Sequence, residues 1–327
     1  MNMNKKAYLI GDLSKAEKVP TRDGYGKGLV DAGEKDERVV ALCADLAEST
    51  RCHWFKEKFP ERYIEVGVAE QNMATIASGL ANYGKIPFIS SYAVFSPGRN
   101  NEQIRTTASL SKLPVKICGA HAGVSVGPDG ATHQALEDIA LMRVQPNMTV
   151  LVPCDAIESR KATLAAAFCE GPVYIRFGRE KTPVFTTEKT PFEIGKALIL
   201  REGKDVTIIG CGALLYNALV AAEELSKEGI EAEVINSHTV KPLDIETILN
   251  SVKKTKAIVT VEEHQIMGGF GSAVAEALSQ HFPVPQEFIG VCDRFGESGE
   301  PDELIEAFGM GVKDIKKAIL KVIKRKS

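Results

Sequence analysis

Short apolar runs alternate with helix-period stretches along almost the whole chain, and this rhythm leaves few folds open to it. Runs at 38–43, 63–66, 86–90, 115–118, 148–152 and 173–177 predict strands. The 3.6-residue period predicts helices over 24–32, 70–82, 101–111, 134–143 and 156–168. Strands separated by helices join through right-handed crossovers, so their sheet is mainly parallel and covered on both faces. At 180–195 the alternation stops, with prolines, threonines and charges in Glu180-Lys181-Thr182-Pro183 and Thr186-Thr187-Glu188-Lys189-Thr190-Pro191, the mark of a linker. It restarts with strands at 206–210, 232–235, 257–262 and 287–291 and helices at 214–225, 245–252, 272–280, 302–308 and 314–324. The predicted fold is α/β: two doubly wound domains, 1–183 and 197–327, each a mainly parallel sheet with helices on both faces, joined by a linker at 184–196.

A length of 327 residues suits about two ordinary domains. The formal net charge of -3 argues against a general attraction to nucleic acid. The basic end, Lys313 to Lys326, keeps an apolar stripe of Ile315, Ile319, Val322 and Ile323, and reads as the solvated face of a docked helix. Seven cysteines form no CxxC pair, which suits small reduced core residues of a cytoplasmic protein. The apolar run after Lys5 and Lys6 is too short for a signal peptide, and no stretch approaches membrane-spanning length.

Two stretches carry the chemistry. In Ile64-Glu65-Val66-Gly67-Val68-Ala69-Glu70-Gln71-Asn72-Met73, a strand end runs through a glycine turn and delivers Glu70 to the first turn of a helix. Free amides and the helix dipole favour a carboxylate there, so a cap alone would explain the acid. About fifty residues on, Gly119 to Gln134 places His121, Asp129, His133 and four glycines directly after the strand Val115-Lys116-Ile117-Cys118. Strand carboxyl ends are where open α/β sheets hold their ligands.

Several chemistries are disfavoured. No HxxxH or CxxC spacing supports a preformed metal site, and no GxSxG marks a nucleophile. Gly210-Cys211-Gly212 follows a strand, but Leu215 replaces the third glycine of a dinucleotide fingerprint. What remains is a carboxylic acid, imidazoles and the aromatic segment Pro87 to Phe95, a set that fits something flat and nitrogenous.

At these residues the sequence resembles the pyrimidine-binding domain of transketolase: Gly67-Val68-Ala69-Glu70-Gln71-Asn72, the His121 to Gln134 loop, Asp45-Leu46-Ala47-Glu48-Ser49 and Tyr174-Ile175-Arg176-Phe177-Gly178-Arg179. Further on, Val234-Ile235-Asn236, Thr239-Val240-Lys241-Pro242-Leu243-Asp244, Val261-Glu262-Glu263-His264, Gly268-Gly269-Phe270-Gly271-Ser272 and Gly296-Glu297-Ser298-Gly299 resemble the transketolase C-terminal domain. The complete family carries, ahead of these domains, a diphosphate-binding domain with a Gly-Asp-Gly motif. Here the nearest candidate is Gly11-Asp12-Leu13, with no room before it. The resemblance therefore implies the second subunit of a split transketolase, holding half a site.

By resemblance, Glu70 is the acid on the far pyrimidine nitrogen of thiamine diphosphate, Phe95 packs on the pyrimidine and Asp45 lies near the thiazolium. Glu70 is expected to keep or share a proton in a dry pocket. A second family aromatic is replaced by Gly98. The resemblance also places His121 near the reacting carbon, His133 in substrate binding or proton movement, and Asp129 on an aldose hydroxyl. Arg22, Ser49 and Arg179 match the phosphate-end contacts. The implied reaction is two-carbon ketol transfer from a ketose phosphate to an aldose phosphate. A partner subunit with the Gly-Asp-Gly motif would hold Mg2+, and two of each chain would form an α2β2 heterotetramer in which this chain dimerises.

Two other readings stay open. Beta subunits of 2-oxoacid dehydrogenases have about this length and GVAEQ-like features, although Thr132-His133-Gln134-Ala135-Leu136-Glu137-Asp138 and Cys43-Ala44-Asp45-Leu46 look transketolase-like. A non-catalytic subunit of the same fold is opposed by the retention of Glu70, Asp129 and both loop histidines.

Overall fold

The computed structural model describes residues 3–326. Its first sheet has seven strands in the spatial order Thr239–Lys241, Thr149–Leu151, Val173–Arg176, Lys116–Ala120, Ile86–Tyr92, Val39–Cys43 and Tyr63–Glu65. All neighbours run parallel except the first pair. The second sheet has the order Gln286–Val291, Ile258–Gln265, Val206–Gly210, Ala232–Asn236 and Leu198–Arg201, with only the last pair antiparallel. This is the α/β architecture expected from the alternating runs.

Period-2 alternation decides which helices cover which face. Val40, Leu42, Ile89, Ile117 and Val150 pack with Met73 and Ala77 of the helix Glu70–Asn82 and with Ile139 and Met142 of the helix Asp138–Arg143. The intervening residues Ala41, Cys43, Phe88, Cys118 and Ile175 face Tyr25 and Leu29 of the helix Thr21–Lys35 and Ala162 and Ala166 of the helix Ala156–Ala167. Those two helices approach closely: a Cβ on Gly28 would lie 2.6 Å from the Arg160 carbonyl oxygen. The first face also packs with Ile209, Ile235 and Phe270, so one core runs from the first sheet into the second.

Four features depart from the sequence reading. Thr239–Lys241, from the second half of the chain, completes the edge of the first sheet against Thr149–Leu151. The 180–195 stretch is fastened rather than loose: Lys181–Pro183 pairs with Lys18–Pro20, and Asp155 accepts hydrogen bonds from the Phe185 and Thr186 amides. The predicted helix over 101–111 is a single turn, Asn101–Gln103, followed by a π-helical stretch, Ile104–Ser109, where the Thr107 hydroxyl bonds back to the Gln103 carbonyl. The helix expected from 134 starts at Asp138, because the Gln134 amide reaches the carbonyls of Val124 and Glu297. No helix among the described residues is long and apolar enough to cross a membrane.

Candidate active site

The parallel strands of the first sheet share one carboxyl end, and the expected site residues follow it. Val39–Cys43 is followed by Asp45 and Ser49, Tyr63–Glu65 by Glu70, Ile86–Tyr92 by Phe95, Lys116–Ala120 by His121 and Val173–Arg176 by Arg179. The chain leaves Val39–Cys43 toward one edge of the sheet and returns to Ile86–Tyr92 on its other side, so the order reverses there. That reversal opens a crevice above the strand ends.

Gly67, at φ 70°, turns the chain into the helix Glu70–Asn82, whose first residue is Glu70. The Glu70 side chain is 1 % exposed. Arg99 donates to its Oε2 at 2.6 Å and the Ser91 hydroxyl to Oε1 at 3.4 Å, while the Asn100 amide holds the Glu70 carbonyl at 3.0 Å. The expected burial is present, together with an arginine partner that no local pattern announced. The same guanidinium lies 4.5 Å from the centre of the Phe95 ring, a cation–π contact.

An aromatic wall continues from there. Tyr92 stacks on His121 at 3.9 Å, and His133 sets its edge against Tyr92 at 5.9 Å and Phe95 at 5.6 Å. Tyr92 was visible only as part of an aromatic run; its place as last residue of its strand was the missing signal. A side chain at Gly98 would overlap the Val94 carbonyl, so this turn has no space for a second aromatic. Arg99 covers Phe95 instead.

His121 adopts φ 54° and is 1 % exposed. Burial, then the charges of Arg22 and Arg179, hold its pKa down to about 3. It is therefore a neutral imidazole, with Nδ1 buried and without a hydrogen-bond partner among the described residues. The unfolded chain would take the proton near 6.5, so this group costs stability as pH falls from 6.5 toward 3. In a proton NMR titration the His121 ring signals should keep their neutral positions from pH about 8 to about 5. An inflection near the ordinary histidine value would contradict the burial argument. The His133 Nδ1 lies 2.9 Å from the Thr132 hydroxyl.

Cations gather beside the imidazoles. Arg22 donates to the Ser49 carbonyl at 3.0 Å. Arg179 donates to the Val126 carbonyl at 2.9 Å and stands 3.3 Å from Asp129. Asp45, at φ 59°, gives its amide to Glu65 at 2.8 Å, and the same carboxylate oxygen accepts the Gly67 amide at 3.0 Å. Glu65 thus ties the Asp45 loop to the turn before Glu70. Asp45 reaches the same sheet end, although its carboxylate forms no hydrogen bond or ion pair with the aromatic wall among the described residues.

A buried acid against an aromatic wall suits the donor pattern of a flat nitrogen heterocycle. The neighbouring imidazoles and guanidiniums suit a polyhydroxylated anion. Among the described residues no three His, Cys, Asp or Glu side chains are grouped to hold a metal ion. A larger cleft, of about 600 Å³, is lined by Gly11, Lys15, Val19, Ile157 and Val184 and shares none of these groups.

The fold and this crevice define an α/β protein with a ligand crevice at the carboxyl ends of its first sheet. Residues 17–184 match the family model for the transketolase pyrimidine binding domain, and residues 195–315 that for the transketolase C-terminal domain. The chain belongs to the transketolase family. It is 44 % identical over 306 residues to the 6-deoxy-6-sulfo-D-fructose transketolase subunit SqwH of Clostridium sp. (strain MSTE9), covering 94 % of this chain and 95 % of that one. It is 45 % identical to the putative transketolase C-terminal section of Methanocaldococcus jannaschii, covering 93 % of this chain and 96 % of that one. A solved structure described as a split gene transketolase, inactive beta4 tetramer, superposes with a TM-score of 0.89 at 47 % identity, covering 94 % of this chain and all of that one.

Proposed function

We propose that this chain is the second subunit of a split transketolase and supplies the pyrimidine half of a thiamine diphosphate site. The observation that carries the reading is the buried Glu70 carboxyl at the head of the Phe95, Tyr92, His133 and His121 wall, with Arg22 and Arg179 beside it. The proposed domain division, 1–183 and 197–327 about a linker at 184–196, puts all of these groups on the first domain. A partner subunit bearing the Gly-Asp-Gly motif would hold the diphosphate and Mg2+. The names of the Methanocaldococcus jannaschii C-terminal section and of the split gene transketolase support a separate partner chain. We assign the working assembly as an α2β2 heterotetramer in the cytoplasm, with this chain dimerising.

Thiamine diphosphate, when bound, supplies an electron sink for breaking and making carbon–carbon bonds. The protein's part is to bind, orient and move protons. Glu70 would hold the far nitrogen of the pyrimidine, with Arg99, whose side chain is 46 % exposed, giving up its ion pair to make room. Phe95 would pack on the pyrimidine, and Asp45 would lie near the thiazolium. His121, neutral by burial, accepts a hydrogen bond from a donor hydroxyl close to the reacting carbon. His133 binds the substrate or passes its proton, and Asp129 holds an aldose hydroxyl. Arg22, Ser49 and Arg179 receive the phosphate end.

The reaction is transfer of a two-carbon ketol unit from a ketose phosphate such as xylulose 5-phosphate to an aldose phosphate such as ribose 5-phosphate, a step of the pentose phosphate pathway. A second reading is favoured by the Clostridium relative, whose name specifies a sulfonated ketose. Ketol transfer assayed with this chain plus a Gly-Asp-Gly chain from the same source tests both, using xylulose 5-phosphate and 6-deoxy-6-sulfo-D-fructose as alternative donors. Activity with the first alone supports the pentose reading, and preference for the second replaces it.

A further inference from the structure

We propose that Arg51 is a specificity-determining arm of the anion end of this site, presenting a guanidinium nitrogen to a tetrahedral oxyanion at the tail of an open-chain sugar. A cleft of about 470 Å³ is lined by five cationic side chains, Arg22, Arg51 and Arg179 among them, and by the acids Asp23, Glu180, Glu300 and Asp302. Of these, Arg22 and Arg179 were legible from the sequence, whereas Arg51 was not. It follows the short helix Ala47–Thr50 in the left-handed region, at φ 71°. Side chains other than glycine adopt that conformation rarely, and here it sets the arginine in the same loop as Asp45 and Ser49.

Arg51 is held at three points. Its Nε donates to Asp23 at 2.6 Å, its Nη1 donates to the Glu48 carbonyl at 2.9 Å, and its guanidinium carbon stands 5.7 Å from the centre of the Trp54 ring. Nη2 has no partner among the described residues, so its N–H groups are left for a ligand. A planar guanidinium fixed in this way donates to an anion oxygen without first losing side-chain freedom.

The acids of the cleft leave Arg22 unpaired. Arg22 forms no ion pair among the described residues, and its Nε is buried without an acceptor. Buried donors are almost always satisfied, so an unpaired one at a cleft wall marks a place for an acceptor. Arg51 and Arg179 are near enough for their charges to act on Arg22 and on His121. Asp23 braces Arg51, and Asp129 and Glu180 stand by Arg179, which leaves Arg22 as the guanidinium of the three without a carboxylate partner among the described residues. A phosphate ester or a sulfonate on a sugar supplies the missing oxygens, and the two share this chemistry.

This inference rests on the functional reading only for the sugar; the anion contact stands apart from turnover. The test is calorimetric binding of ribose 5-phosphate, 6-deoxy-6-sulfo-D-fructose and uncharged ribose to the isolated chain. Wild type is compared with Arg51→Ala, Arg51→Lys, Asp23→Asn and the remote control Arg38→Ala. Arg51→Ala should weaken the oxyanion-bearing sugars about 10- to 100-fold, with Arg51→Lys and Asp23→Asn in between and Arg38→Ala unchanged. A loss confined to the phosphate or to the sulfonate identifies the anion that Arg51 reads. In the assembled enzyme, Arg51→Ala should raise KM for a phosphorylated acceptor by a like factor. It should hold kcat within about 3-fold and spare KM for erythrulose, a ketol donor without a charged tail. Equal affinity of Arg51→Ala and wild type for both anionic sugars would overturn the proposal, as would equal loss for uncharged ribose. Binding that depends on Arg51 without any ketol transfer would sink the functional reading and leave this one standing.

Discussion

Replacing Glu70 by alanine is expected to lower kcat of the assembled enzyme about 10²- to 10⁴-fold, the range over which positioned proton-holding groups act. The same change should leave assembly and folding close to normal. Both expectations follow from where the carboxyl sits. It is buried at the first turn of its helix, and its partners Arg99 and Ser91 belong to the crevice rather than to the main core. When the acid is removed, half-exposed Arg99 turns to solvent, so no charge is stranded. Sedimentation of the mixed subunits checks assembly, and steady-state rates check chemistry. A variant that assembles and keeps near-normal turnover would mean that Glu70 is only a helix cap.

The opposite balance holds at Asp138. This buried acid accepts a hydrogen bond from Arg176 at 2.8 Å and another from the Tyr174 hydroxyl at 2.6 Å. Arg176 in turn donates to the Glu263 carbonyl at 2.7 Å, joining the end of a first-sheet strand to Ile258–Gln265 of the second sheet. The two side chains are 6 % and 1 % exposed, so neither charge can find water when its partner is lost. Asp138→Ala should therefore destabilise the chain by about 3–5 kcal/mol, the usual cost of breaking a buried pair from one side. Urea unfolding measures it: the midpoint should fall with little change in slope. Because the Arg176 guanidinium also reaches the Ala135 carbonyl, at 3.4 Å, the loop carrying His133 should loosen with it. A loss below about 1 kcal/mol would show that solvent reaches the pair.

The parts of the fold that could be read in advance are those whose signal is local. Parallel strands buried on both faces appear as continuous apolar runs, as Val39–Cys43 and Val206–Gly210 do. The helix Glu70–Asn82 shows its buried stripe in Met73 and Ala77. Thr239–Lys241 has only three residues, and its pairing comes from a sheet built almost entirely by the first half of the chain. No period is legible in so short a segment. Within the crevice, Glu70 and the imidazole loop were marked by their turns and by family resemblance. Arg99 lies 29 residues from Glu70, and Asp23 lies 28 from Arg51, so those pairings exist only in three dimensions. Gly98 likewise shows in the sequence as a missing aromatic, whereas its cause is the nearby Val94 carbonyl.

The central claim is that this chain holds only the pyrimidine half of a shared site. It is tested most directly by titrating a fixed amount of the Gly-Asp-Gly partner with this chain, in the presence of thiamine diphosphate and Mg2+, and following ketol transfer from xylulose 5-phosphate to ribose 5-phosphate. Neither chain alone should be active, and the rate should rise with added chain and saturate at equal numbers of the two. Full activity from this chain alone would contradict it, as would a mixture that assembles and stays inert with phosphorylated and sulfonated donors alike.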